Sequence, residues 1–476
     1  VCSRVCKEIC QLSGNLELQK RDLRCKVGSK PKSAEGGFVV SYTKQEVLDF
    51  VKENDVKFVR LAFCDLLGRQ KNISIMAEEL PRAFAEGISF DASAIRGLAD
   101  VSRSDLLLVP EPETLHLLPW RPAQGRVIRF FCQIKYPDYS PYPGDSRGLL
   151  QTVTRRLRDL GFSAQIGTEC EFYLFKTDQD GYPTKTTHDE GEYMDISPLD
   201  RGENVRREIC LTLLEMGIKP ESSHHEQGPG QNEIDFTYSD PITAADHFLT
   251  FKSVVKAIAA QNGLFASFMP KPLEGQPGNG LHVNISVTKN GTNIFGDKEH
   301  SSDAESFISG ILTYAREMSA FLNPTVNSYK RLGSFKAPLY VSWSHQNRSQ
   351  LIRIPAAVGD KTRIELRSPD CTVNPYLAFA AVLSAGLAGI NQKLRLPLPE
   401  DRNLYKAEAD STKHLEKLPT DLEEAVTLAA QSAFLKETLG ADLIGLYLDL
   451  LREQLELYKR APDKSEFSER NYFRVF

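Results

Sequence analysis

The sequence predicts an α+β protein of two domains, the second much the larger, and three observations carry that reading. The 476 residues exceed the length at which one hydrophobic core usually stops growing. A Pro- and Tyr-rich stretch, YPDYSPYPGDSRG, punctuates the chain near residue 140 and marks a boundary. Beyond it, four strand-like stretches alternate apolar with polar residues, the pattern of a sheet with one face against helices and the other lining a cleft.

The elements follow in order. Residues 1–40 hold Cys2, Cys6, Cys10 and Cys25 in a Lys/Arg-rich stretch that ends in GSKPKSAEGG, which reads as a linker. The spacing of four would stack three of the cysteines on one helix face, and packing or a flexible or artefactual extension is the expectation ahead of a metal site. Residues 41–138 are expected to form the small domain. TKQEVLDFVKEN carries Thr43 as N-cap with Glu46 three residues on, a capping-box pattern. VKFVRLAF and KNISI read as strands joined by the turn CDLLGRQ, and further short strands run through SDLLLVPEPETLHLLPW and GRVIRFFCQI. Residues 139–476 open with the helix SRGLLQTVTRRLRDLG. They close on a helix and tail in which Leu448, Leu451, Leu455 and Tyr458 form an apolar stripe.

Composition narrows the function. The chain is 41% apolar and 25% charged, ordinary for a globular protein, so most of it is expected to fold. A net charge of −5 provides no basic field for nucleic acid. No apolar run approaches eighteen residues, so no membrane span is expected. Cys64, Cys132, Cys170, Cys210 and Cys371 are scattered singly, which suits a reducing, cytoplasmic setting.

The four polar-faced strands carry the chemistry. IGTECEFYLF places Glu169 and Glu171 on one face, and QNEIDF does the same for Glu233 and Asp235. GLHVNIS aligns His282, Asn284 and Ser286, while TRIELRSPD aligns Arg363, Glu365 and Arg367. Carboxylates sharing a cleft repel one another, and a divalent cation offsets that repulsion. Oxygen donors with one imidazole suit Mg²⁺ or Mn²⁺, and Glu169, Glu171, Glu226, Glu233, His282 and Glu365 would serve about two ions. Arg331, Arg348, Arg353, Arg363 and Arg367 would clamp a transferring phosphoryl group. Neither GxxxxGK[ST] nor a GxGxxG before a helix is present, which excludes a P-loop and a Rossmann site.

Across roughly residues 42 to 470 the chain resembles the bacterial-type glutamine synthetase family, through FCDLLGR, GTECEFYLF, SHHEQGPGQNEIDF, FMPKP, GNGLHVNIS, NSYKRL, NRSQLIRIP, RIELRSPD and NPYLAFA. The resemblance implies a small β-grasp-like N-terminal domain, then a large catalytic domain whose curved antiparallel sheet is backed by helices. It implies a homo-oligomer, a dodecamer of two hexameric rings with active sites between subunits. By the same resemblance Glu171, Glu226 and Glu233 hold the ion nearest the amino acid, and Glu169, His282 and Glu365 the ion nearest the phosphates of ATP. Arg331 takes the α-carboxylate of L-glutamate, Arg367 its γ-carboxylate, and Arg348 faces phosphoryl transfer. Ser286 lies in the nucleotide segment with Arg353 and Arg363 nearby, while Asp65 serves ammonium in a neighbouring subunit's site. In SHHEQGPGQNEID, the Gly-Pro-Gly turn would set Glu226 and Glu233 on either side, with His224 and His225 in packing or supporting hydrogen bonds. Tyr405 resembles a tyrosine that some members adenylylate, but its surroundings differ, and an unmodified residue is the expectation.

Two departures bear on the acceptor. The family's flap reaches Glu-Ala-Pro, whose glutamate takes a proton from ammonium, whereas GSFKAP puts Lys336 at that place. A lysine there repels ammonium and is no base while protonated. An asparagine ahead of the Gly-x-Gly-x-His run is replaced by Pro277, which has no amide to offer the substrate amino group. Ammonia ligation to L-glutamate leads the expectations, followed by a γ-glutamyl ligase for a larger primary amine and a non-catalytic nucleotide-binding paralogue.

Overall fold

Residues 42–296 and 301–476 are described by a computed structural model; the Cys-bearing stretch 1–40 lies outside the described residues. Thr43 caps α1 (Lys44–Glu53) as its sequence predicts: its hydroxyl accepts from the Glu46 amide, and the Glu46 carboxylate accepts from the Thr43 amide at 2.7 Å. The small sheet has β1 (Val56–Cys64), β2 (Gln70–Met76), β3 (Ile88–Asp91), β4 (Asp105–Pro110), β5 (His116–Leu117) and β6 (Arg126–Lys135). Its order is β2-β1-β6-β4-β3, with β5 on β6, and β1 runs parallel to β6 at its centre. Val59, Leu61, Ile128 and Phe130 pack on one face with Val47 of α1 and Phe84 of α2 (Leu80–Glu86). Ala62, Cys64 and Phe131, offset by one residue, point into the larger core on the other. The small sheet is therefore covered on both sides.

The tight β1–β2 turn docks on the large domain. Gly68 has φ +78, and a Cβ there would lie 2.5 Å from the Val373 carbonyl oxygen, so only glycine fits. Next to it the buried Asn374 amide donates to the Asp65 carbonyl at 3.1 Å, while its side-chain oxygen caps α7 (Pro375–Gln392).

A ten-stranded sheet forms the large domain. Its path is β14 (Trp343–His345), β15 (Ile352–Ile354), β16 (Ile364–Leu366), β12 (Leu281–Lys289), β7 (Phe162–Thr177), β10 (Gln231–Phe236) and β9 (Pro220–His225). β8 (Pro183–Thr187) and β11 (Leu264–Ser267) add to β7, and β13 (Thr292–Asn293) to β12. The pairing is antiparallel except between β14 and β15, which run parallel. Cys170, Phe172, Ile234, Val283, Ile285, Ile364 and Leu366 belong to one buried core, shared with α3 (Ser146–Asp159), α5 (Pro241–Gln261), α6 (Ser302–Leu322) and α7. The helix between β8 and β9, α4 (Glu203–Glu215), packs against α5. Among the described residues no helix is long and apolar enough to cross a membrane.

One partly buried group on the small sheet predicts acid sensitivity. His116 Nδ1 lies 3.2 Å from the Arg129 guanidinium and 3.1 Å from the Thr114 carbonyl oxygen. Burial, with repulsion from Arg129 and then His247, pushes its pKa down to about 3. The folded value lies below the unfolded value of about 6.5, so folding expels a proton; this stability is complete above about pH 6.5 and is lost as pH falls toward 3. At about 1.4 kcal/mol per pH unit, roughly 2 kcal/mol is lost by pH 5. His116→Gln should flatten that part of the profile, read from urea midpoints at pH 8 and pH 5, and parallel profiles for the two proteins would contradict it.

Candidate active site

The polar face of the large sheet lines a cavity of about 700 Å³. Strand register brings its acids together. Glu171 lies opposite Glu233, Glu169 opposite both Asp235 and His282, and Asn284 opposite Glu365. β9 and β10 form a hairpin across the Gly-Pro-Gly segment, with His224 opposite Glu233. Three groups of ligand atoms on this face then lie within 4.8 Å of one another: Glu169, His282 and Glu365; Glu171, Glu233 and His282; and His224, Glu233 and Asp235.

Their carboxyls are shifted in opposite directions. Burial pushes the Glu233 carboxyl well above its usual range, and Glu171, Asp235 and Glu226 add repulsion. Burial also raises Glu171, and it takes Asp235 to about 6. Glu169 goes the other way: burial opposes ionisation, but the hydrogen bond from His282 and its charge hold the carboxyl at about 2. Glu365 is fully buried, and against that burial Arg367, then His282, lower its pKa. Arg353 and Arg367 both donate to it. Asn284 donates to Glu169 at 2.8 Å and accepts from Arg363 at 3.1 Å, linking the acids to the outer arginine.

A divalent cation fits this donor set. Carboxylate oxygens and the imidazoles of His224 and His282 face the cavity, and no thiol lines it; Glu171 and Glu233 are carboxyls that burial and neighbouring carboxylates drive toward holding protons, which a bound cation would replace.

Arg331 is 3% exposed, and its guanidinium donates to the carbonyls of Ser368 (2.8 Å) and Arg367 (3.2 Å). Gly280 makes room for it, since a Cβ there would meet Arg331 Nη2 at 2.5 Å; the Gly280 amide donates to Glu171 at 2.6 Å. Arg348, Arg353, Arg363 and Arg367 line the same cavity, as do Glu226, Lys336 and Pro277. Glu226 leans toward His224, 3.1 Å away, and stands outside the Glu171–Glu233–His282 group. Ser286, Asp65 and Glu365 do not line the cavity: Ser286 lies farther along β12, Asp65 sits in the β1–β2 turn, accepting from the Arg69 amide at 2.9 Å, and Glu365 is fully buried, bonded to Arg353 and Arg367. Of the two histidines, His225 is fully buried on Asp189 at 2.9 Å, whereas His224 lines the cavity itself.

Several residues here escaped sequence reasoning. Tyr193 and Met194, from the segment between β8 and α4, and Phe335 wall the outer end, all three substantially exposed. Lys336 holds a left-handed φ of 69°, with Nζ 5.3 Å from the Tyr193 ring centre. Behind the acids, the thiols of Cys170 and Cys371 lie 3.6 Å apart. Only the flanking position of Cys170 between two acids hinted at its place, and nothing in the sequence pointed to its partner.

The fold and the cleft define a class: an enzyme whose acid clusters suit a divalent cation and whose arginines suit an anionic substrate. The glutamine synthetase catalytic domain matches residues 143–470, and the glutamine synthetase β-grasp domain matches residues 55–137. A glutamine synthetase of Methanosarcina mazei is 46% identical over 433 residues, 90% of this chain and 97% of that protein. One of Clostridium saccharobutylicum is 44% identical over 417 residues, 86% and 94% of the two chains. Among solved structures, a GmaS/ADP complex superposes with a TM-score of 0.80 at 32% identity, covering 89% of this chain and 98% of that one. The chain belongs to the glutamine synthetase family.

Proposed function

We propose that the protein joins ammonia to the γ-carboxylate of L-glutamate at the expense of ATP, giving L-glutamine through γ-glutamyl phosphate. The observation that carries this is one cavity lined by Glu169, Glu171, Glu233, Asp235, His224 and His282 together with five arginines. Arg331 binds the α-carboxylate, and Arg367 orients the γ-carboxylate. A γ-carboxylate oxygen attacks the terminal phosphorus of ATP, and the bond to ADP breaks, with Arg348 against the charge of the transferring group and Arg353 and Arg363 on the nucleotide phosphates. Ser286 belongs to the nucleotide-binding segment. The amine nitrogen then attacks the acyl carbon, phosphate leaves, and the nitrogen gives up a proton. Glu171, Glu226 and Glu233 would hold one Mg²⁺ or Mn²⁺, and Glu169, His282 and Glu365 a second; these ions supply charge neutralisation of the phosphates.

Water has to be kept from the acyl phosphate, and the segment carrying Phe335 and Lys336, with Tyr193 across from it, is placed to cover the outer end. The reading extends to a cytoplasmic dodecamer of two hexameric rings in which Asp65 serves a neighbouring subunit's ammonium site, with the domains divided near residue 138. Lys336 supports a second reading, a larger primary amine as acceptor, because a cation at the flap disfavours ammonium.

The test is phosphate release from ATP and L-glutamate with Mg²⁺ or Mn²⁺, comparing ammonia with a panel of primary amines and weighing products by mass. Glutamine formed only with metal present is the expected result, and chelation should abolish it. Release with a larger amine alone would establish the second reading, and silence with every acceptor would overturn both.

A further inference from the structure

A second charged cavity lies away from the acids, on the face of the small sheet that looks into the large domain. β1 and β6 run side by side with Arg60 in register with Arg129. Two guanidinium groups on neighbouring strands and one face repel each other. Arg121, in the segment before β6, adds a third around a cavity of about 180 Å³, whose walls include Gln70, Trp120 and Ser253. None of these residues lines the active cavity.

Among the described residues, no carboxylate pairs with Arg60, Arg121 or Arg129. Arg129 is the acute case, at 2% exposed. It donates to the Thr250 hydroxyl at 2.8 Å, stands 3.2 Å from His116 Nδ1 and lies over the Phe131 ring at 4.2 Å; its Nε has no partner. The acid that attracts it most, Asp246, is already bound to Arg147 at 2.9 Å and to the Tyr376 hydroxyl at 2.5 Å. Burial lowers the Arg129 pKa to about 10, and repulsion from Arg121 acts on Arg60. A buried charge without a carboxylate of its own, in a cavity lined by two further arginines, is costly unless an anion offsets it.

We propose that this cavity binds a small multiply charged oxyanion of the phosphate class, held between Arg60, Arg121 and Arg129. Three guanidinium-bearing side chains lining one small cavity suit a compact acceptor with oxygens on several sides. The volume, about a quarter of the active cavity's, admits phosphate with a few waters.

The test requires no turnover, so its failure would leave the proposed reaction standing. The active cavity handles phosphate too, and the readout is therefore the difference between the wild-type protein and Arg60→Gln/Arg121→Gln; Arg129 is left intact to preserve folding. At constant ionic strength, inorganic phosphate should raise the wild-type melting temperature saturably, with a shift at least about threefold larger than in the variant. Crystals soaked in tungstate should show an anomalous peak between the three arginines. Equal phosphate shifts in the two proteins, or tungstate only in the active cavity, would overturn the proposal. So would a neighbouring subunit's carboxylate within about 4 Å of Arg60 or Arg121 in the assembled protein, because the charge would then already be paired.

Discussion

Glu365→Gln is expected to lower ATP-dependent phosphate release by at least about 10³-fold and to destabilise the metal-free protein. The side chain is fully buried, with Arg353 and Arg367 both donating to it and His282 3.8 Å away. Removing its charge leaves two guanidinium groups without their shared counterion. Breaking a buried pair in this way costs about 3–5 kcal/mol. Glu169 raises the Glu365 pKa by repulsion, and relief of that repulsion returns part of the cost. The two effects are separable. Glu365→Asp keeps the charge and should retain most of the stability in urea while remaining inactive, because its shorter chain withdraws the carboxylate from His282 and Glu169. Full activity in Glu365→Gln would remove this residue from the proposed metal site, whatever happened to stability.

Lys336→Glu should raise the rate at limiting ammonia by about 10²-fold, the lower end of what a positioned base contributes. The wild-type ammonium group stands at the mouth of the cavity, above Tyr193, and its charge reaches Glu226. A glutamate at the same place replaces repulsion of ammonium with attraction and supplies a proton acceptor. The left-handed backbone at this position, φ 69°, is as costly for glutamate as for lysine, so strain does not separate the variants. The measurement is kcat/KM for ammonia with L-glutamate and ATP saturating. An unchanged value would show that Lys336 plays no part in acceptor choice. A gain for ammonia accompanied by a loss for a larger amine would assign the residue to acceptor selectivity.

Much of the site was legible because strand periodicity is a local property. Alternation alone placed Glu169 with Glu171, Glu233 with Asp235, and Arg363, Glu365 and Arg367 on the cleft side; the first four and the two arginines line the cavity, while Glu365 is buried against Arg353 and Arg367. The Thr43 cap and the helix after the Pro-rich segment were equally local, resting on side chains that bond to backbone a few residues away. Family motifs located Lys336 but carried no information about its surroundings. The grouping of Glu171 with Glu233 and His282, while Glu226 turns to His224, depends on sub-ångström placement that no spacing rule reaches.

By itself, then, the sequence determined the class of fold, the acids and arginines of the cleft, and the two departures at Pro277 and Lys336, because these follow from residue type and short-range period. Tertiary structure decided what depends on distant segments meeting. It set Tyr193 against Lys336, brought the Cys170 thiol to Cys371, and laid Arg60 beside Arg129 through the parallel pairing of β1 and β6. The register of two strands and the docking of a loop are fixed by burial summed over the whole core, and that sum is not written in any local stretch of the chain.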